Sequence, residues 1–382
     1  MKLSVIILNY NVRYFLEACI KSVQAAISNL DAEIIVIDNN SPDDSCAMMR
    51  ETFPKIVCIE NKENVGFAKA NNQAVQHAQG EYICILNPDT IVAEDTFVQL
   101  LSFAKNTKNL GSIGCKLIDG RGKFLPESKR NIPTPKVSLK KILGSKNSGY
   151  YANLHEDAIG KVDILVGAFM FMKKSVYESV DGFDEDYFMY GEDIDLSYKI
   201  KKAGFQNYYY GKTTVIHYKG ESTLKDKTYA KRFYGAMQLF YKKHFQRNII
   251  YDIVVALGAK WIPFLSKGET NTIKQIHSYI FISDSEERFK QVSLCYHEKK
   301  GVRIENLDHF FSELKKNKTA EIVLDTHFID YKSCIQIFEK QLGYYKILSK
   351  NSTFILGSDS SKNRGEVWLL SAKKKYVNKE LN

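Results

Sequence analysis

Carboxylates crowd residues 181–204, DGFDEDYFMYGEDIDLSYKIKKAG, with aromatic side chains between them. Leu196, Ile200 and Ala203 recur at i, i+4 and i+7, which predicts a helix that starts near Glu192 and stops at Gly204. On that spacing Asp193 lies one turn ahead of Leu196, on the side that packs inward. Glu192 and Asp195 are three apart and share a different, wetter side. A carboxylate in a helix's first turn is held ionised by the helix N-terminus, and an ionised, inward-facing carboxylate is what a general base requires. Acids in a first turn are also ordinary helix-start chemistry, so this stretch alone leaves both readings open.

Further polar clusters recur at fixed places in the first hundred residues. Short apolar runs at 3–8, 33–37, 56–60 and 81–86 read as strands. Helical spacing follows at 13–27, 43–53, 67–78 and 94–105. Strands alternating with helices of this length indicate a parallel α/β sheet, and such sheets bind ligands at the carboxyl ends of their strands. Asn9-Tyr10-Asn11, Asp38-Asn39-Asn40-Ser41 and Asn87-Pro88-Asp89 all fall at those ends. Turns use the same residue types, which accounts for any one cluster better than for all of them together. Neither GxGxxG after the first strand nor GxxxxGK[ST] occurs, which excludes the usual dinucleotide and P-loop cradles.

Residues 106–162 read as a long, basic, Pro-interrupted loop, a possible flap, with a short helix near 136–143. Residues 162–173 read as one buried strand with Gly167 in its middle, where a ligand or another backbone approaches closely. Strand signal returns at 206–216, ending at His217, and 228–246 read as a basic, aromatic helix. Residues 249–265 are apolar but shorter than the roughly 20 residues a span needs. They fit either an interfacial helix or a core helix. From about 270 a second, smaller α/β pattern begins, with strands at 291–296, 320–325, 344–348, 353–357 and 366–371 and helices at 305–317 and 331–342. The implied domains are 1–247, a linking helix over 248–269, and 270–382, whose sequence carries no readable chemistry.

The 382 residues carry a net charge of +10, which favours anionic partners. Seven scattered cysteines without a CxxC pair fit reduced thiols of a cytoplasmic protein, and MKLSVIILNYNV lacks a signal-peptide layout.

Asn9–Asn11, Asp38–Ser41, Asn64-Val65-Gly66-Phe67, Asn87-Pro88-Asp89 and Glu192-Asp193 together give residues 1–245 a resemblance to the family-2 inverting glycosyltransferases, and most to the rhamnosyltransferase-like branch. The resemblance implies a GT-A fold and a nucleotide-sugar donor, with dTDP-rhamnose or a UDP-sugar foremost. It implies that Asp38 holds the nucleobase, assisted by Asn40 and Ser41, and that Asn9 and Tyr10 line the nucleoside site. It places Asn64, Gly66, Lys69 and Asn72 near the nucleotide. The family's metal-binding DxD stands here as Asn87-Pro88-Asp89, whose first position is a neutral amide, so Asp89 carries the charge toward a divalent cation, Mn²⁺ or Mg²⁺. His217 matches a histidine that completes the metal shell in some members, and a lone His after a strand also has structural uses. Asp193 becomes the general base, with Glu192, Phe188 and Tyr190 shaping the acceptor pocket. The implied acceptor is a hydroxyl of a lipid-linked or polysaccharide chain in cell-envelope glycan synthesis, reached from the cytoplasmic face of an anionic membrane.

Two other classes fit parts of the sequence. A nucleotidyltransferase would also use a buried strand and acidic metal ligands, but would carry a Gly-rich basic loop where Asn9-Tyr10-Asn11-Val12 stands. A non-enzymatic binder of anionic polymers would use the basic, aromatic 199–247 region. The acids at 181–195 would repel a nucleic-acid backbone nearby, so nucleic acid is not expected as a partner.

Overall fold

The computed structural model describes all residues except 143–144, 146–147, 220–226, 246–275, 307–309, 311–319, 361–363, 371–373 and 377–382. The apolar stretch at 249–265 and most of the helix expected at 305–317 therefore lie outside the described residues.

The first sheet grows outward from β1 (Leu3–Asn9), whose seven residues are all buried. Strands buried on both faces need no polar alternation. Leu3, Val5 and Ile7 face α1 (Arg13–Ala26) through Leu16, Cys19, Ile20 and Val23. Ile6 and Leu8 face α3 (Phe67–His77) through Ala68, Ala74 and Val75. β1 pairs in parallel with β2 (Ala32–Asp38) and β4 (Tyr82–Leu86), and β2 pairs in parallel with β3 (Val57–Glu60). The sheet continues past β4 with β8 (Phe169–Lys173), β6 (Leu110–Ile118), β9 (Gln206–His217) and the short β5 (Thr90–Ile91), while β7 (Ile159–Val162) pairs with the far side of β9. β8 runs antiparallel to both β4 and β6. The fold is thus α/β with a parallel half and a mixed half, followed by a second sheet.

Three expectations need correction. The expected loop over 106–162 contains β6, a nine-residue strand buried throughout. Gly111, Ser112 and Gly114 dilute its β signal, yet the glycines are required. A Cβ on Gly111 would lie 2.5 Å from Ile200 Cγ2, and one on Gly114 would lie 2.7 Å from Leu165 Cδ2. The expected single strand at 162–173 is divided: β7 ends at Val162, β8 starts at Phe169, and Gly167 lies in the turn between them. The expected strand at 291–296 belongs instead to α9 (Glu286–Cys295), capped by Ser285, whose hydroxyl accepts from Arg288 N–H at 3.2 Å. Its buried Val292 and Cys295 sit at i and i+3, a spacing too short to separate helix from strand by pattern.

The second sheet has the order β11-β10-β12-β13-β14-β15-β16, with β10 at Ser278–Ile282, β11 at Lys300–Ile304, β12 at Glu321–Asp325, β13 at Tyr344–Leu348, β14 at Phe354–Gly357, β15 at Glu366–Leu369 and β16 at Lys374–Tyr376. It packs on the first unit through a continuous core. Val12 just before α1 and Phe15 and Ala18 within it, with Ile91, Ile216 and Tyr218, meet Ile280, Ile282, Ile322, Leu324 and Phe338. Polar contacts close the seam. Glu94 accepts hydrogen bonds from the backbone N–H of Tyr331 (2.8 Å) and Lys332 (2.9 Å), and so caps α10 (Tyr331–Lys340) from the other unit. Thr214 donates to Glu339 at 2.7 Å. No helix among the described residues is long and apolar enough to cross a membrane.

A carboxylate at a helix N-terminus satisfies donors and complements the dipole. Glu94→Ala should therefore destabilise the chain by about 0.5–2 kcal/mol, the range of a lost N-terminal cap, as read by urea unfolding. An unchanged midpoint would show that the cap contributes nothing to docking of the second unit.

Candidate active site

The carboxyl ends of β1, β2 and β4 lie along one edge. Asn9 and Asp38, the last residues of β1 and β2, are register partners. The buried Asn9 amide donates to Asp38 Oδ1 at 2.7 Å and to Ser41 Oγ at 3.0 Å. Ser41 donates from its hydroxyl to Asp38 Oδ1 (2.6 Å) and from its backbone N–H to Asp38 Oδ2 (2.8 Å). Oδ1 thus has two donors and Oδ2 one, and the Cys46 thiol also bonds the Asp38 carboxylate. Asn40, with φ of 64°, turns the chain and is exposed, while Tyr10 is half-buried beside Asn9.

The next residue, Asn39, ties this corner to the 64–67 loop, a role its place in a turn-like DNNS did not reveal. Its amide donates to Asn64 Oδ1 at 2.8 Å, and its carbonyl accepts from Asn61 (3.1 Å) and from Val65 N–H (3.1 Å). Gly66, at φ +87°, then passes against Phe188, where a Cβ would fall 2.6 Å from the Phe188 carbonyl oxygen. Phe67 N–H donates to that same carbonyl at 2.7 Å. Only glycine combines this φ with this approach. Lys69 is exposed on α3. Asn72, expected near the nucleotide, faces the acidic segment instead. Its amide donates to Phe183 O (2.9 Å) and Glu185 (3.0 Å), and its carbonyl accepts from Tyr177 OH and Phe183 N–H.

Beyond β4, Asn87-Pro88-Asp89 leads directly into β5, where Thr90 is the register partner of His217 on β9. That pairing brings His217 Nε2 to 3.4 Å from both Asp89 Oδ1 and the Asn87 amide. Asp89 and His217 are buried, and neither Asp89 Oδ1 nor His217 Nδ1 has a hydrogen-bond partner. A buried carboxylate oxygen left without a donor fits a cation. One carboxylate and one imidazole suit a divalent ion that takes its remaining ligands from phosphate and water. No cluster of three or more His, Cys, Asp or Glu among the described residues could hold a metal unaided.

The acids come from α7 (Glu192–Lys202), which starts where expected. Tyr190 and Gly191 precede it at φ of 71° and 83°, a strained approach of the kind found at functional sites. Asp193 is buried as expected. Glu192 and Asp195 are buried too, and the wetter side assigned to them does not exist. The reason is α8 (Lys227–His244), which lies over α7. His244 Nε2 is 2.5 Å from Asp195 Oδ1, and Lys243 bridges Asp184 and Asp186. Ala203, expected inward, is exposed. Met237, Phe240 and Tyr241 of α8 are buried against Ile164, Tyr187 and Ile194, so this aromatic stripe is core.

The turn before β8 joins the two chemical centres. Gly167 N–H donates to Asp193 Oδ2 at 3.0 Å, while Ala168 O accepts from Asn87 N–H at 3.0 Å. Arg130 donates to the same Asp193 Oδ2 at 2.7 Å. The sequence flagged Arg130 only as one cation in a basic run. Its signal was position within a Pro-rich segment, which does not reveal burial.

Glu192 is pushed up to about 8, by burial first and by the Asp193 charge second. Between the ordinary glutamate value and about 8, the folded chain holds a proton that the unfolded chain releases, so this group makes stability fall as pH rises through that window. Glu192→Gln removes the contribution. Its melting temperature should decline less than that of the parent chain from about pH 5 to 8. Identical slopes in the two proteins would contradict a protonated Glu192.

Residues 4–180 match the family described as Glycosyl transferase family 2. The chain is 25% identical over 241 residues to the N-acetylglucosaminyl-diphospho-decaprenol L-rhamnosyltransferase of Mycobacterium tuberculosis, covering 59% of this chain and 78% of that protein. It is 31% identical over 162 residues to the rhamnosyltransferase WbbL of Escherichia coli K12, covering 40% of this chain and 61% of WbbL. Among solved structures, a mannosyltransferase from Pyrobaculum calidifontis in complex with GDP-Man and Mn²⁺ shares 18% identity at a TM-score of 0.45, over 68% of this chain and 69% of that one. Residues 4–180 thus carry the likeness to the family-2 glycosyltransferases, and the relatives named above are rhamnosyltransferases.

Proposed function

We propose that this glycosyltransferase moves a deoxyhexosyl or hexosyl group from a dTDP- or UDP-sugar to a hydroxyl of a lipid-linked or polysaccharide acceptor in cell-envelope glycan synthesis, with inversion at the anomeric carbon. One observation carries the reading: adjacent residues of one turn bond the base candidate and the metal-side segment, Gly167 N–H donating to Asp193 and Ala168 O accepting from Asn87 N–H. A base and a phosphate-binding segment fixed by one turn suit a direct displacement in which the hydroxyl attacks as the diphosphate departs.

Each residue then has a task. Asp38, a buried carboxylate at the end of β2, accepts from the imide N–H of a uracil or thymine base. Asn9 and Ser41 orient that carboxylate, and Tyr10 and Asn40 border the nucleoside. Asn64 and Gly66 shape the loop over the sugar–phosphate, and Lys69 supplies a cation near it. Asp89 and His217 hold a divalent cation, with Asn87 beside them. When bound, that cation supplies Lewis-acid neutralisation of the departing diphosphate. Asp193 accepts the proton of the attacking hydroxyl, so attack and departure occur on opposite faces and no covalent nucleophile is needed. Glu192, neutral by burial, keeps a second charge out of the acceptor side.

In this reading residues 1–247 are the catalytic unit and 270–382 a smaller unit docked on it. The net charge of +10 favours an anionic membrane surface as a partner of the chain.

Asp193→Asn should lower turnover roughly 10²–10⁴-fold, the usual worth of a positioned base, while donor affinity by calorimetry barely changes. Asp38→Ala should weaken donor binding first. Transfer should stop in EDTA and return with Mn²⁺ or Mg²⁺. Full turnover by Asp193→Asn, or full activity in chelator, would overturn the corresponding assignment.

A further inference from the structure

Arg130 is the buried cation that the reaction as described does not use. Its backbone is sewn to the chain just before the Gly167 turn. Arg130 N–H donates to Ile164 O at 3.0 Å, and Arg130 O accepts from Asp163 and Ile164 N–H at 3.2 and 3.0 Å. Its guanidinium returns to the same stretch, donating to Leu165 O at 2.5 Å, and reaches Asp193 Oδ2 at 2.7 Å. Root and tip are therefore both fixed, and the side chain is only 8% exposed. An arginine stays charged in any protein environment, so this is a permanent positive charge placed on one of two adjacent carboxyls.

The lone pairs decide what that placement does. Each carboxylate oxygen accepts about two hydrogen bonds. Asp193 Oδ2 has two donors, Arg130 and Gly167 N–H. Oδ1 has one, the Ile194 backbone N–H at 2.8 Å. The adjacent Glu192 lacks any hydrogen-bond partner at Oε2.

We propose that Arg130 is a positioning residue that assigns the base: with Gly167 N–H it saturates Oδ2 of Asp193, leaving Oδ1 as the proton-accepting oxygen, and it settles the single negative charge of the Glu192–Asp193 pair on Asp193. The assignment rests on Asp193 being the base. The balance is simple. The acceptor O–H proton passes to Oδ1, the O–C1 bond forms, the C1–O bond to the diphosphate breaks, and the nucleoside diphosphate leaves with the electron pair. Charged and titratable groups bearing on Asp193 are Arg130 from the segment before β7, Glu192 from α7 itself, and Tyr150 through Arg130. The proton shared by the two acids has no other strong cation to direct it among these.

The test uses the full chain labelled with [γ-¹³C]Asp, with the Asp193 resonance identified by its loss in Asp193→Asn. In Arg130→Gln that resonance should titrate at clearly higher pH than in the parent chain, while Arg130→Lys, which keeps the charge, should shift it less. A folded Arg130→Gln with an unmoved titration would overturn the proposal. Should Arg130→Gln fail to fold, Arg130→Lys decides: because its single ammonium cannot reproduce the guanidinium contact, a titration identical to the parent's would count against the proposal. Turnover supplies the second readout, as dTDP release from dTDP-rhamnose with Mn²⁺ and a GlcNAc-diphosphate lipid, or water, as acceptor. Arg130→Gln should lose at least tenfold in turnover with dTDP affinity unchanged, and should lose nothing further in an Asp193→Asn background. Equal losses in both backgrounds would make Arg130 a structural residue only. Parent-like turnover of Asp193→Asn would instead refute the base itself, whatever Arg130 does.

Discussion

A carboxylate taken out of water costs several kcal/mol unless donors and an opposite charge meet it, and Asp193 is met by both at a single oxygen. The two donors come from segments far apart in sequence, Arg130 from the connection after β6 and Gly167 from the turn before β8. A Cβ on Gly167 would lie 3.3 Å from Asp193 Cβ, so a side chain there would press on the very approach that lets the backbone donate. The next residue of that turn holds Asn87, and with it the segment bearing Asp89. One turn thus contacts both the buried acid and the segment that bears Asp89.

The surroundings of this centre are arranged to keep negative charge tolerable. Lys243 and His244 of α8 sit on Asp184, Asp186 and Asp195, leaving the Glu192–Asp193 pair to Arg130. The burial that raises Glu192 is supplied by the same helix packing, because α7 and α8 share a core around Ile194 and Phe240. The second sheet stands outside this machinery. It packs on α1 and on Ile91 of β5 and Ile216 of β9, and the pairing of those two strands sets His217 opposite Thr90, the residue after Asp89.

The parallel half of the first sheet was readable because β1, β2 and β4 are unbroken apolar runs with polar residues at their ends. The acids were readable because Leu196 and Ile200 give α7 its phase. What escaped was long-range. β6 carries two glycines forced by Ile200 and Leu165, contacts that no local pattern records. The burial of Glu192 and Asp195 depends on α8, about fifty residues further on, so helix phase alone put them on the wrong side. Asn72 was placed near the nucleotide by resemblance, while its hydrogen-bond partners at 177–185 come from a distant part of the chain. Arg130 looked like surface charge, since only the folded chain brings it to Asp193.

If Asp89 serves the donor diphosphate and Asp193 the acceptor, crystals soaked with Mn²⁺ and dTDP or UDP, examined by anomalous scattering at the manganese edge, separate the two. The expected result is a manganese peak at Asp89, with the nucleobase against Asp38 and no metal at Asp193. A peak on Asp193, or a diphosphate bound away from Asp89, would contradict it.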